Sequence, residues 1–216
     1  KILLVDTDTT LKKWLPYVIE REPGKLGLEF MVQAGIEKLY KKKKKKGFFM
    51  MIEGASIDHA SHPRDIATAI KETIEFDRSV RLAYEFYKKH PDETLIIVTA
   101  DHETGGLTIG ETTTHPFNWE YVNYQKMSKE IDTWEKTKKI LAENTGLWDK
   151  IPVNAGEEAQ LMQCYYETIV KKSSKQEITL YAKSEPLVAD AIALLNKKIG
   201  VGWTSFSHTG GFVPFY

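Results

Sequence analysis

The chain has a single cysteine, Cys164, among 216 residues. One thiol excludes an intrachain disulfide and leaves the redox compartment open. Cys164 lies near Leu161 and Tyr165 in an expected helix, and it reads as a buried, inert thiol. No run reaches the roughly eighteen apolar residues that a membrane span needs. Net charge is missing too, because 30 basic and 30 acidic residues cancel. A chain without a global basic field is a poor match for nucleic acid. No internal repeat is evident, and no segment has the make-up of a signal peptide. That last absence excludes nothing about location. The sequence starts at Lys1 without methionine and stops at Tyr216 in the apolar run "GGFVPFY". It reads as a piece of something longer.

What is present suffices for a core. Hydrophobic residues make up 42% and aromatics 11%, which suits one α/β domain or a small domain carrying an insertion. Residues 1–5 form a short apolar run, weakly a strand. Leu28, Met31, Val32, Ile36 and Leu39 fall on one helical stripe within residues 26–40. The lysines at 41–46 close that helix, where cations suit the carboxyl end. They read as a solvated turn, since no apolar face accompanies them.

Residues 48–52, "FFMMI", read as a buried strand. Pro63 suits a first helical position. Ile66, Ile70, Ile74, Tyr84 and Tyr87 give the next helical stripe, which Pro91 stops. Residues 95–98, "LIIV", have the continuous apolar character of a strand buried on both faces. Strand, long helix and strand make a right-handed crossover, so 48–52 and 95–99 are expected to be adjacent or near-adjacent and parallel. Beyond Gly110 the chain turns charged and aromatic, with helical stretches near 123–143, 156–172 and 186–198. Ser184 can cap the last of these and Gly200 can end it. The organisation expected is a βαβ core at about 47–110, a helical insertion at about 111–200, and a return to the sheet at about 201–216.

Both crossover strands feed into groups that resist burial. Glu53, Asp58, His59 and His62 follow the first, and Asp101 and His102 follow the second. Desolvating a carboxylate is costly unless an ion pair or a metal offsets it. In open α/β sheets the carboxyl edge of the strands is where ligands bind. Glu53, Asp58, His62, Asp101 and His102 are therefore expected to converge there. Oxygen and imidazole donors without thiolates suit zinc in a catalytic site. Taken singly, each has a plainer role: Glu53 a surface acid, Asp58 a turn residue, His62 a helix cap. The joint pattern at both strand ends favours a metal. His90 and His115 sit at a helix end and in a loop, without a role. Asp6 and Asp8 lack an accompanying histidine, and turn chemistry explains them.

Together "EGASIDHASH", "VTADHETGG" and "SHTGG" resemble the alkaline phosphatase family, in that order, with the match running roughly from Leu15 to the end. The resemblance implies a parallel-sheet α/β/α sandwich of that type, incomplete here. It implies two zinc ions and one magnesium ion: Asp58, His62 and His208 on one zinc, Asp101 and His102 on the second, and Glu53 on magnesium. His59 matches a position where some family members carry a histidine near the magnesium site. The substrate implied is a phosphate monoester, the location periplasmic or secreted, and a homodimer is compatible.

The departures matter as much. The family's nucleophilic serine lies upstream of the matched part, in an Asp-Ser-Ala context that does not occur here. The aspartate bridging zinc and magnesium, a hydroxyl residue of the magnesium site and the phosphate-clamping arginine are missing too. Arg64 and Arg78 are not convincing substitutes. The expectation is a parent that hydrolyses phosphate monoesters and a 216-residue chain that alone does not. Two rivals stay open. One is the related phosphoglycerate mutase and sulfatase group. The other is a non-catalytic zinc-binding fragment.

Overall fold

The computed structural model describes residues 15–42, 46–110, 124–172 and 185–216. The run at 1–5 with Asp6 and Asp8, the middle of the polylysine turn, His115 and the Ser184 cap lie outside the described residues. In chain order the elements begin with helices α1 (Leu28–Lys42), α2 (Ala55–Ser61) and α3 (Ile66–Lys89). Strands β1 (Glu103–Thr104) and β2 (Thr108–Ile109) come next. Helices α4 (Tyr124–Glu130), α5 (Trp134–Thr145), α6 (Ala155–Tyr165) and α7 (Pro186–Lys198) follow, then strands β3 (Val201–Gly202) and β4 (His208–Thr209). β1 pairs with β4 and β2 with β3, both antiparallel. The chain divides into two compact units.

The first unit comprises Lys1–Ile57, Ile70–Ala100 and Pro214–Tyr216. A buried polar clamp fixes its early segment to α3. Arg21 pairs with the Glu75 carboxylate through both terminal nitrogens and donates to the Pro16 carbonyl at 3.1 Å. The Val18 N–H donates to Glu72 at 2.6 Å. Burial pushes the Glu72 carboxyl up to about 7, and the neighbouring Glu75 charge adds to it. A Cβ at Gly27 would meet the ends of the Arg21 and Glu75 side chains, so a larger residue there requires the clamp to shift. His90 packs against Tyr40 and Phe86, with ring centroids 4.8 and 4.7 Å away.

Here one expectation is corrected. Residues 48–52 and 95–99 do not pair with each other; among the described residues 48–52 joins no ladder. Val98 instead exchanges two backbone hydrogen bonds with Tyr216, at 3.0 and 2.9 Å, and Thr99 faces Phe215 in an antiparallel bridge. Nor is the apolar run buried: Phe49 is 88% exposed, Met51 78%, Leu95 84% and Ile97 55%. The reason lies in strand chemistry. An extended segment leaves its N–H and C=O groups to neighbouring strands, and its side chains are covered only when a sheet and a second layer form around it.

The second unit comprises Asp58–Ala69 and Asp101–Val213. Its core is Ile66, Met127, Leu141, Leu147, Ile151, Leu187, Ile192 and Leu195, all essentially inaccessible to solvent. Each such side chain contributes roughly 1.5–3 kcal/mol on burial. α6 opens on a capping box: Asn154 accepts from the Glu157 N–H, and Glu157 accepts from the Asn154 N–H, both at 2.9 Å. Lys198 reaches Glu157 at 2.9 Å and ties α7 to α6. α7 is capped by Glu185, which accepts from the Val188 N–H at 2.7 Å. Cys164 lies in α6, half-buried rather than buried as expected; partial burial and then the neighbouring Asp190 push its thiol up to about 12, as an inert thiol requires.

The start of α3 is a second correction. Pro63 does not occupy the first helical position; the helix begins at Ile66. Asp65 is the cap, accepting from the Thr68 N–H at 3.0 Å and the Thr68 hydroxyl at 2.8 Å. It also accepts from the Tyr124 N–H at 2.9 Å, which anchors the start of α4. Arg64, just before it, has a φ of 61°. This left-handed conformation is costly for a residue with a Cβ and needs outside support. The support is visible: the Arg64 carbonyl accepts from Asn196 at 3.1 Å, and its guanidinium lies 3.5 Å from the Phe206 ring centroid.

Candidate metal centre

The site is built within the second unit, from three pieces of chain. α2 supplies Asp58, and His62 follows its last residue. Four residues is one helical turn, so both side chains face the same way. The His62 N–H closes that turn on the Asp58 carbonyl at 3.0 Å. Asp101 and His102 are the two residues before β1, and β4 supplies His208. The register sets His208 opposite Thr104.

Asp58 stands at the centre. Its Oδ1 lies 3.4 Å from His62 Nε2 and 3.5 Å from His208 Nε2. Donor atoms of Asp58, His102 and His208 all lie within 4.8 Å of one another. The rings of His102 and His208 stack with centroids 3.5 Å apart and planes at 21°. Asp101 is exposed and turned to its neighbour: its Oδ1 accepts from the His102 N–H at 3.2 Å, and its Oδ2 is 3.4 Å from His102 Nε2. The cluster thus draws on both expected zinc sets. Glu53 is exposed and belongs to the first unit.

These spacings fit a cation. A charge-assisted N–H···O bond is about 2.7–2.9 Å long, shorter than any of the three imidazole–carboxylate distances. Donors held at about 2.0–2.2 Å on one tetrahedral ion lie roughly 3.3–3.6 Å apart; the Asp58–His62 and Asp58–His208 pairs fall in that range, and the Asp58, His102 and His208 donors spread wider, within 4.8 Å. The His62 ring is oriented from behind. Its Nδ1 lies 2.5 Å from the Phe206 carbonyl oxygen, which only accepts, so Nδ1 carries the hydrogen and Nε2 the lone pair. This is how metal-ligating histidines are commonly fixed.

Sequence reasoning missed the supporting residues. Thr104 donates to Asp58 Oδ1 at 2.5 Å. Glu103 binds β1 to β4, accepting from the Thr209 hydroxyl and, with both oxygens, from the Gly106 N–H at 2.9 and 3.0 Å. One signal was available: Thr104 stands two residues after His102, and alternate residues of an extended segment share a face. The two arginines weighed as phosphate clamps are engaged elsewhere. Arg64 Nε donates to the Ser205 carbonyl at 3.3 Å, and Arg78 lies 3.7 Å from Glu29.

Comparison with known proteins gives a consistent result. The family model described as "Alkaline phosphatase" matches residues 12–216. Alkaline phosphatase 3 of Bacillus subtilis is 35% identical over 208 residues, covering 94% of this chain and 41% of the relative. The repressible alkaline phosphatase of Saccharomyces cerevisiae is 27% identical, with 94% of this chain and 37% of the relative covered. Among solved structures, a cold-active alkaline phosphatase from Shewanella sp. superposes with a TM-score of 0.66 at 26% identity, over 94% of this chain and 47% of that one. The Thermus thermophilus alkaline phosphatase gives 0.69 over 93% and 44%, and at 22% identity it speaks for the fold alone. The chain spans about two fifths of the length of the curated relatives it matches.

Proposed function

The chain belongs to the alkaline phosphatase family, and from that premise we propose that it carries the zinc-binding portion of a phosphate monoester hydrolase. Its fold is the α/β fold of that family, incomplete. The observation that carries the reading is the meeting of Asp58, His102 and His208, with His62 Nε2 3.4 Å from the same carboxylate.

In this reading Asp58, His62 and His208 hold one zinc, Asp101 and His102 the second, and Glu53 a magnesium. When bound, zinc supplies Lewis-acid stabilisation of the attacking and leaving oxygens of a phosphoryl transfer. The chain's own residues bind and orient. Asp58 presents one carboxylate oxygen between two imidazoles, and the Phe206 carbonyl holds His62 in the tautomer that ligation needs. No Asp-Ser-Ala segment is present, and phosphoryl transfer through a covalent intermediate needs that nucleophile. The 216-residue chain is therefore expected to bind metal without turning over. No helix among the described residues is long and apolar enough to cross a membrane. A periplasmic or secreted location accords with the family.

Two measurements test the proposal. In a calorimetric zinc titration, His62→Ala should bind more weakly than the unaltered chain; equal affinity counts against the ligand assignment. With zinc and magnesium present, the chain should show little or no hydrolysis of a chromogenic phosphate ester. A complementing polypeptide carrying the Asp-Ser-Ala segment should restore it. Robust turnover by the chain alone, abolished by Asp101→Ala, would show that it holds its own nucleophile.

A further inference from the structure

We propose that Thr104 is a positioning residue of this site, one hydroxyl that fixes the Asp58 carboxylate and sets the tautomer of His102. The inference rests on the metal-site reading above. Thr104 Oγ1 lies 2.5 Å from Asp58 Oδ1 and 3.3 Å from His102 Nδ1. A carboxylate only accepts, so the hydroxyl proton goes to Asp58. The hydroxyl has one proton, so toward His102 it offers an oxygen lone pair, and Nδ1 must be the donor. Nε2 of His102 is then left with the ring's lone pair, the form that binds a metal.

The arrangement repeats the one at His62 by a different route. There a backbone carbonyl takes the Nδ1 hydrogen; at His102 a side-chain hydroxyl does so and passes the polarisation on to Asp58, whose donor atom lies within 4.8 Å of that of His102. Thr104 couples two ligands from distant parts of the chain, one on α2 and one beside β1. Its own position is secured by the Glu103 bridge to Thr209 and Gly106, which holds β1 against the strand that bears His208. Partners of this kind commonly govern metal affinity by about 10–100-fold.

The test uses the whole chain with Thr104→Val, which keeps the branched shape and removes the hydroxyl, and Thr104→Ser, which keeps the hydroxyl. Zinc affinity is measured by competition with a chromogenic chelator. The tautomer of His102 is read from ring nitrogen-15 shifts in metal-free protein, about two pH units above the ordinary imidazole pKa of about 6.5. Thr104→Val should weaken zinc binding about 10–100-fold, and Thr104→Ser should stay within about threefold of the unaltered chain. The unaltered His102 should carry its hydrogen on Nδ1, and Thr104→Val should move population to Nε2. Equal affinity in the valine variant with an unchanged tautomer overturns the inference and leaves the site reading intact. A hydrogen on Nε2 in the unaltered protein overturns it too, whether or not the valine variant folds. No zinc uptake by the unaltered chain overturns the site reading and the inference together.

Discussion

In the second unit Leu141, Leu187 and Leu195 are wholly buried, whereas in the first unit Leu95 is 84% and Phe49 88% exposed. The side chains are equally apolar, so hydrophobicity does not separate them. The element does. A helix satisfies its backbone hydrogen bonds internally and needs one covered face, which α4, α5 and α7 give one another. An extended run needs neighbours on both edges and a layer on each face. Residues 48–52 and 95–97 have no such ladder among the described residues.

The sharpest way to break this comparison is to truncate a leucine of the second unit's core. Leu195→Ala should cost about 2–5 kcal/mol, the range for a leucine deleted from a closed core. Chemical denaturation followed by circular dichroism checks it, and a loss under about 1 kcal/mol would place Leu195 outside a real core.

Next in size is a pH effect at Asp65, which burial pushes from 3.8 up to about 6 despite four hydrogen bonds that lower it. The folded chain keeps the proton that the unfolded chain releases near 3.8. Stability contributed by this group is thus full below about pH 4 and falls as pH rises toward about 6. Two pH units correspond to on the order of 2–3 kcal/mol. Asp65→Asn, neutral throughout, should lack that slope. Denaturation midpoints of the two proteins that run parallel from pH 4 to 7 would refute it.

A smaller loss is expected at the α6 capping box. Asn154→Ala removes the acceptor for the Glu157 N–H and should cost about 1 kcal/mol in thermal or chemical unfolding. The smallest effect belongs to the exposed runs. Phe49→Lys and Leu95→Lys should each change stability by no more than about 0.5 kcal/mol in chemical unfolding. A loss of several kcal/mol at either would mean that these runs are covered after all.

Much of the centre was legible because its chemistry is local. Asp58 and His62 are one helical turn apart, and helical geometry alone aligns them. Asp101 and His102 are neighbours and pair with each other. The start of α3 was misread because Pro63 and Asp65 are both good helix openers. The left-handed Arg64, stabilised by Asn196 and Phe206 from far along the chain, decided between them. Thr104 and Glu103 carried no pattern of their own, since a threonine and a glutamate after a histidine are ordinary surface residues until their partners are known.

The sequence by itself determined which donor types are on offer, oxygen and imidazole without thiolate, and the helix at 186–198, whereas the stretch read as helical at 123–143 divides into α4 and α5. The donor types and the 186–198 helix depend on residues within a few positions of one another. Only the tertiary structure decided that His102 meets Asp58 and His208, which the resemblance had already set together, because that needs β4 to pair with β1 in one register. It also decided which apolar runs are buried, because a strand's burial is set by neighbours that its own residues do not encode.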